Sequence, residues 1–191
     1  FPTRRSSDLV HIEKDETYEG IWKLRFKSLA LAPIKIVTVV DRYAVSQHMS
    51  CPQAYLSGLE RFLRLLDRDA DGHRSVTLFS AWTPELGEYN LADVRNRLAD
   101  VMAKLASKQV KHLKILMVSN SAFGRSGHDR FVRFGDYVWD IGLGLKVFQG
   151  PCSAERSSTA FKSGVDTVSG YKKVEQDLAG DRDTKVVKVP A

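Results

Sequence analysis

The 191-residue sequence is poor in the features that mark secreted, membrane-spanning and metal-binding proteins. Its two cysteines, Cys51 and Cys152, form neither a disulfide framework nor a metal-ligand spacing. No apolar run approaches the ~18 residues that a membrane span needs. No internal repeat is evident, and Trp22, Trp82 and Trp139 are too widely separated to indicate a stacking platform for single strands. We therefore expect a soluble cytoplasmic protein with no metal and no cofactor.

The overall composition is that of a globular protein with a basic surface. Hydrophobic residues make up 43% and charged residues 27% of the chain, and the length suits one α/β domain. The formal net charge is +6 and the sequence pI is near 9.3. This charge favours polyanionic partners, namely nucleic acid, anionic lipid or phosphorylated ligands.

Three segments differ in character along the chain. Residues 1–9, FPTRRSSDL, match what a common sequencing adapter encodes when translated, so we treat them as an artefact and expect the gene to continue upstream. Residues 10–150 are expected to form the domain. Residues 151–191 are rich in Ser, Lys, Asp and Gly and predict a loosely structured tail, with an edge strand at 184–189.

Hydrophobic periodicity predicts alternating helices and strands within the domain. Helices are predicted at 15–32, 52–66 and 90–108, and strands at 34–40, 75–80 and 113–118. Two short alternating runs, 131–134 and 137–141, predict a β-hairpin with Gly135-Asp136 as its connection. Right-handed crossovers between the earlier strands would give a largely parallel central sheet, flanked by helices and extended by this hairpin.

Ligands of open parallel sheets gather at the carboxyl ends of the strands. Polar residues stand at each of the predicted ends: Asp41, Arg42, Ser80, Thr83, Ser119, Asn120 and Ser121. The segment 124–127 then leads from this edge to the start of the hairpin. This placement predicts a polar cleft at the edge of the sheet.

His128, Asp129 and Arg130 directly precede the hairpin and form the densest ionisable group in the chain. Arg130 can bind phosphate oxygens through two N–H groups, and His128 can donate a proton or attack phosphorus. We expect both to converge with Arg42 and Arg125 on one anion. The alternative, an exposed polar strand start, stays open.

One acidic run imitates a calcium loop. Asp67, Asp69, Asp71 and Gly72 have the spacing of an EF-hand, but Leu78 stands where a bidentate glutamate is needed, and a strand follows. We therefore interpret this run as a solvated turn.

Two elements of the chain carry a family resemblance. The first is Asp41-Arg42-Tyr43, followed by Gln47, His48 and an apolar helix. The second comprises His128-Asp129-Arg130, Trp139, Gly142-Leu143-Gly144-Leu145-Lys146 and Phe148. Over roughly residues 15–150 the chain resembles the phospholipase-D-like C-terminal domain of MIT-domain-containing proteins and its prokaryotic relatives. The resemblance implies a three-layer phospholipase-D-like domain.

The sequence departs from the family pattern at three positions. Arg42 replaces a proline, Leu143 replaces an arginine, and Lys146 replaces an aspartate. Hydrolysis in the phospholipase D superfamily needs two His-x-Lys-x4-Asp motifs, whereas this chain has one degenerate copy, with Arg130 in place of lysine and Gly135 in place of aspartate. The animal relatives are regarded as membrane-binding modules without hydrolysis, so the resemblance implies binding rather than catalysis.

Three functional hypotheses follow. The first is a non-hydrolytic module that binds phosphate-bearing ligands, anionic lipid headgroups above all, through Arg42, Gln47, His48, Arg125, His128, Asp129 and Arg130. The second is a phosphodiesterase or nuclease with His128 as nucleophile and His48, or His128 of a second copy, as acid. The third is a protein-interaction domain with a vestigial cleft. Nucleic acid, a membrane surface and a homodimer remain open as partners.

Overall fold

The computed structural model describes residues 11–125 and 130–190, which form a mixed β-sheet with helices on both faces. The strands are β1 His11–Ile12, β2 Ile36–Asp41, β3 Arg74–Trp82, β4 Val110–Ser119, β5 Arg130–Phe134, β6 Tyr137–Ile141, β7 Ser157–Ser163 and β8 Lys185–Val189. The helices are α1 Tyr18–Arg25, α2 Lys27–Leu31, α3 Ala44–Ser50, α4 Gly58–Asp69, α5 Leu91–Ala103, α6 Asn120–Arg125 and α7 Val165–Gly180. A 3-10 turn covers Gly144–Phe148.

The eight described strands are ordered β1-β7-β6-β5-β2-β3-β4-β8. The β2–β3 and β3–β4 pairs are parallel, and the other five pairs are antiparallel. The α/β class is confirmed, but the prediction of a largely parallel sheet is wrong. The parallel core ends where β5 enters beside β2 in the opposite direction, with Arg130 opposite Asp41.

Helices cover both faces of the sheet, which gives three layers. Because successive side chains of a strand point to opposite faces, β4 directs Leu113, Ile115 and Met117 into one core and Leu116 and Val118 into the other. The first core packs against α1 to α5, and the second against α6 and α7. No helix in the described part of the chain has the length and apolar character to cross a bilayer.

The prediction of a loosely structured tail at 151–191 is wrong. Strand β7 lies between β1 and β6, and β8 forms the edge strand beside β4, close to the predicted 184–189. Between them, α7 packs on the second face and is held there by the Glu175 carboxylate, which lies 2.6 Å from the Arg133 guanidinium. Both side chains are largely buried, so this ion pair fastens the helix to the centre of β5.

Local signals set several element boundaries. Asn90 caps α5 in a capping box with Asp93, as the sequence predicts. The hairpin of β5 and β6 turns at Gly135, where φ is +56°. The helix predicted at 52–66 instead begins after Ser57, whose hydroxyl accepts the N–H of Glu60 at 3.1 Å. The helix predicted at 15–32 is interrupted at Phe26.

Asp67 has a structural role that the solvated-turn interpretation did not anticipate. Its buried carboxylate accepts the backbone N–H groups of Ser107, Gln109 and Val110 at 2.7, 2.6 and 3.0 Å. These bonds tie the end of α4 to the start of β4.

Candidate functional site

Asp41, the last residue of β2, fixes the backbone at the carboxyl edge of the sheet. Its buried carboxylate accepts the N–H of Tyr43 at 3.0 Å and that of Leu145 at 2.7 Å. Gly144 has a φ of +60°, and a Cβ placed there would lie 2.3 Å from an Asp41 carboxylate oxygen. Asp41 therefore joins β2 to the turn that follows β6 and holds the chain rigidly where Arg42 and Tyr43 begin.

Arg42 reaches across the sheet edge to Asn120. The Nη2 and Nε atoms of Arg42 donate to Asn120 Oδ1 at 2.8 and 3.0 Å. The two residues meet because β2 and β4 are parallel within one sheet and end at the same edge. The Asn120 amide is neutral, so this contact does not offset the positive charge of the Arg42 guanidinium.

The ring of Tyr43 contacts two guanidinium groups. The guanidinium carbon of Arg42 is 5.7 Å from the centre of the Tyr43 ring, and that of Arg130 is 5.4 Å from it. Arg130 begins β5 and also donates to the backbone carbonyl of Gly142. The structure therefore brings together the two arginines that the sequence singled out. We call Arg42, Tyr43, Asn120 and Arg130 the cationic rim.

Arg125 ends α6 and lies toward the α7 side of the same edge. Its guanidinium is 3.4 Å from Asp181, the residue that follows α7, and its side chain is 68% exposed. The Asp181 carboxylate also accepts from Ser119 Oγ at 3.3 Å. An exposed ion pair of this kind is weak, so Arg125 contributes positive charge near the rim without a fixed contact to it.

Three further residues were expected at the site. His128 and Asp129 lie outside the described residues. Gln47 lies half-buried on α3.

His48 is also on α3, but it is buried among helices rather than placed at the rim. Its Nδ1 atom is 2.7 Å from the hydroxyl of Ser57, the residue that caps α4. The imidazole lines a polar depression of about 220 Å³ shared with Arg97 of α5. The expectation that His48 contacts phosphate beside Arg42 is therefore wrong.

The environment of His48 also determines its charge. Burial and the nearby Arg97 guanidinium lower the pKa of His48 from 6.5 to about 4. The imidazole is therefore neutral near pH 7 and has no proton to give as an acid. Sequence spacing could not show this, because the burial depends on how α3 packs between α4 and α5.

The side chains that complete the rim were only partly visible in the sequence. Asn120 was foreseen as a polar strand end, but its pairing with Arg42 was not. Tyr43 was foreseen only as part of a motif, and its role as a ring shared by two cations depends on the antiparallel entry of β5. Among residues 11–125 and 130–190, no cluster of three or more His, Cys, Asp or Glu side chains is placed to hold a metal ion.

No family model and no curated protein matches the chain.

Proposed function

We propose that the chain is a non-hydrolytic module that binds phosphate-bearing ligands through Arg42 and Arg130. The observation that supports it best is that two guanidinium groups contact the same ring, that of Tyr43, at the edge where the parallel strands end. This edge is where α/β sheets ordinarily place ligands. A guanidinium offers several N–H groups in a planar fork that suits phosphate oxygens.

The present partner of Arg42 supports exchange with an anion. Arg42 is bound to the side-chain oxygen of Asn120, which is a neutral acceptor. Hydrogen bonds to an anion are roughly twice as strong as bonds to a neutral acceptor. A phosphate group would therefore compete well for Arg42, while the Tyr43 ring keeps the guanidinium groups oriented.

The placement of the described histidines supports binding over hydrolysis. His48 is buried and neutral near pH 7. His11 lies in β1, His73 in the turn before β3, and His112 near the start of β4. Arginine holds its proton too firmly to act as the acid. The rim therefore suits recognition of a phosphate group, which anionic lipid headgroups and nucleotides share.

The test compares Arg42→Ala with Arg95→Ala, which removes the same charge from the exposed side of α5. Binding of inorganic phosphate is measured by calorimetry, and binding to phosphatidic acid vesicles by sedimentation. Loss of one charge-assisted contact of about 1.5–3 kcal/mol should weaken binding about 10- to 100-fold in Arg42→Ala.

The control variant, Arg95→Ala, should bind phosphate and phosphatidic acid vesicles nearly as tightly as the unaltered protein does. Equal binding by Arg42→Ala and Arg95→Ala, with both variants folded by circular dichroism, would remove the rim as the anion site.

A further inference from the structure

A hollow of about 420 Å³ adjoins the cationic rim at the ends of β3 and β4. We call it the Trp82 hollow, and it is lined by Trp82, Leu91, Met117, Val118, Ser119, Asn120, Asp183 and Lys185. Asn120 belongs to both places, since it lines the hollow and accepts from Arg42 at 2.8 Å. A ligand whose phosphate sits at the rim would therefore extend its remaining part toward this hollow.

Trp82 gives the hollow an aromatic wall. It ends β3 opposite Ser119 of β4 and is half-buried. Trp22 and Trp139, by contrast, are buried in the first core, with exposures of 0% and 2%. Trp82 therefore keeps accessible indole surface. A nucleobase of any type can stack on such a surface, because every base has a flat aromatic face.

The lining of the hollow is mostly apolar, and four polar residues also border it. These residues are Ser119, Asn120, Asp183 and Lys185. A nucleobase presents hydrogen-bond donors and acceptors at its edge, which such groups recognise, and it presents a flat face for the indole. The volume also falls in the usual range for small-molecule sites.

We propose that the ligand of the rim is a nucleoside phosphate, with its base against Trp82 and its phosphate at Arg42 and Arg130. This inference rests on the proposed phosphate-binding function and names the ligand class for it. The shared chemistry covers a free nucleotide and the terminal unit of a nucleic acid.

A second apolar depression, of about 440 Å³, provides the contrast. Its lining includes Tyr55, whose side chain is 71% exposed, and Leu143, but none of the four rim residues. A cation of this depression is already paired, since Lys146 lies 3.0 Å from Glu155 and both residues line it. A lipid-binding mode would draw on this exposed surface, so Tyr55→Ser separates the two ligand classes.

The first experiment uses the unaltered protein and needs no variant to fold. Adenosine monophosphate, adenosine and inorganic phosphate are titrated by calorimetry, with tryptophan fluorescence followed in parallel. Stacking predicts that the nucleotide binds about 10-fold or more tightly than phosphate alone and quenches fluorescence. A short single-stranded oligonucleotide that binds tighter still would identify nucleic acid as the source, and equal binding would identify free nucleotide.

Variants then locate the base. Trp82→Leu should still bind phosphate but should no longer bind the nucleotide more tightly than phosphate. Trp82→Phe keeps an aromatic ring and should retain most of this difference in affinity. Tyr55→Ser should leave nucleotide binding unchanged.

The outcomes separate this inference from the proposed function. Nucleotide binding no tighter than phosphate binding overturns the inference and leaves the proposed function standing. Vesicle binding that is lost in Tyr55→Ser, without nucleotide binding, also overturns it and assigns lipid binding to the second depression. If the protein binds neither phosphate nor nucleotide nor vesicles, both the inference and the proposed function are overturned.

Discussion

The buried, neutral His48 makes the stability of the protein depend on pH in a predictable direction. In the unfolded chain the imidazole has its ordinary pKa of 6.5, and in the folded protein burial lowers the pKa to about 4. The unfolded state therefore binds a proton more readily. The stabilisation is fully present above pH 6.5, and it decreases as the pH falls toward 4.

The magnitude follows from the two pKa values. Each pH unit between them changes the free energy of unfolding by about 1.4 kcal/mol. His48 is only 2% exposed, so solvent screening reduces the effect little. Acidification from pH 7.5 to pH 4 should therefore remove about 3 kcal/mol of stability through this one residue.

The assay is urea unfolding of the unaltered protein and of His48→Asn, repeated across this pH range. Asparagine offers a neutral hydrogen-bonding group near the hydroxyl of Ser57 but cannot take up the proton. Subtracting the two curves cancels the contribution of other titrating groups. The same substitution at the exposed His73 controls for the loss of one imidazole.

The difference between the unaltered protein and His48→Asn should be constant above pH 7 and should then shrink by about 3 kcal/mol. A difference that stays constant down to pH 4 would refute the reasoning. It would mean that His48 titrates alike in both states, and the argument against an acid role for this residue would be lost.

Two further substitutions test the packing. Glu175→Gln leaves the buried Arg133 without its countercharge and should destabilise the fold by about 3 kcal/mol in urea unfolding. A loss below about 1 kcal/mol would show that the pair is not buried as described. Gly144→Ala places a Cβ against Asp41 at a φ of +60° and should cost about 2 kcal/mol. Gly170→Ala, in open space on α7, should instead stabilise by about 0.5–1 kcal/mol, and equal effects of the two changes would contradict this account.

Much of the fold up to the β5–β6 hairpin could be predicted, because its signals are local. The capping box at Asn90 and the apolar faces of α4 and α5 depend on residues within a few positions of each other. The hairpin around Gly135 depends on a turn and two short alternating runs. Such signals do not require knowledge of distant partners.

The sheet topology could not be predicted in the same way. Strands β5 and β8 resemble any other short apolar strands, and nothing in their sequences specifies that β5 pairs antiparallel with β2 or β8 antiparallel with β4. Strand β7, SSTAFKS, is mostly polar and pairs through its backbone with β6. The α7 helix buries only a narrow stripe, Val168, Tyr171 and Leu178. Strands β7 and β8 and helix α7 form because the earlier part of the chain provides a sheet edge or a sheet face on which they can pack.

The residues of the candidate site also differ in whether local sequence signals could reveal their positions. Arg42 and Arg130 were identified from their positions at a strand end and a strand start, and the structure brings both to the Tyr43 ring. His48 was identified from its place in the first resemblance element and as a candidate second histidine. Its actual environment depends on how α3 packs between α4 and α5, so no spacing along the chain could reveal that it is buried.

The lysines of β8 have a consequence for self-association. This strand forms one margin of the sheet, and its exposed Lys185 and Lys188 flank the backbone groups that face away from β4. If the β8 edges of two molecules approached each other, the ammonium groups of Lys185 and Lys188 in one molecule would meet those of the other. Repulsion between these like charges opposes the pairing of two β8 strands into a continuous intermolecular sheet.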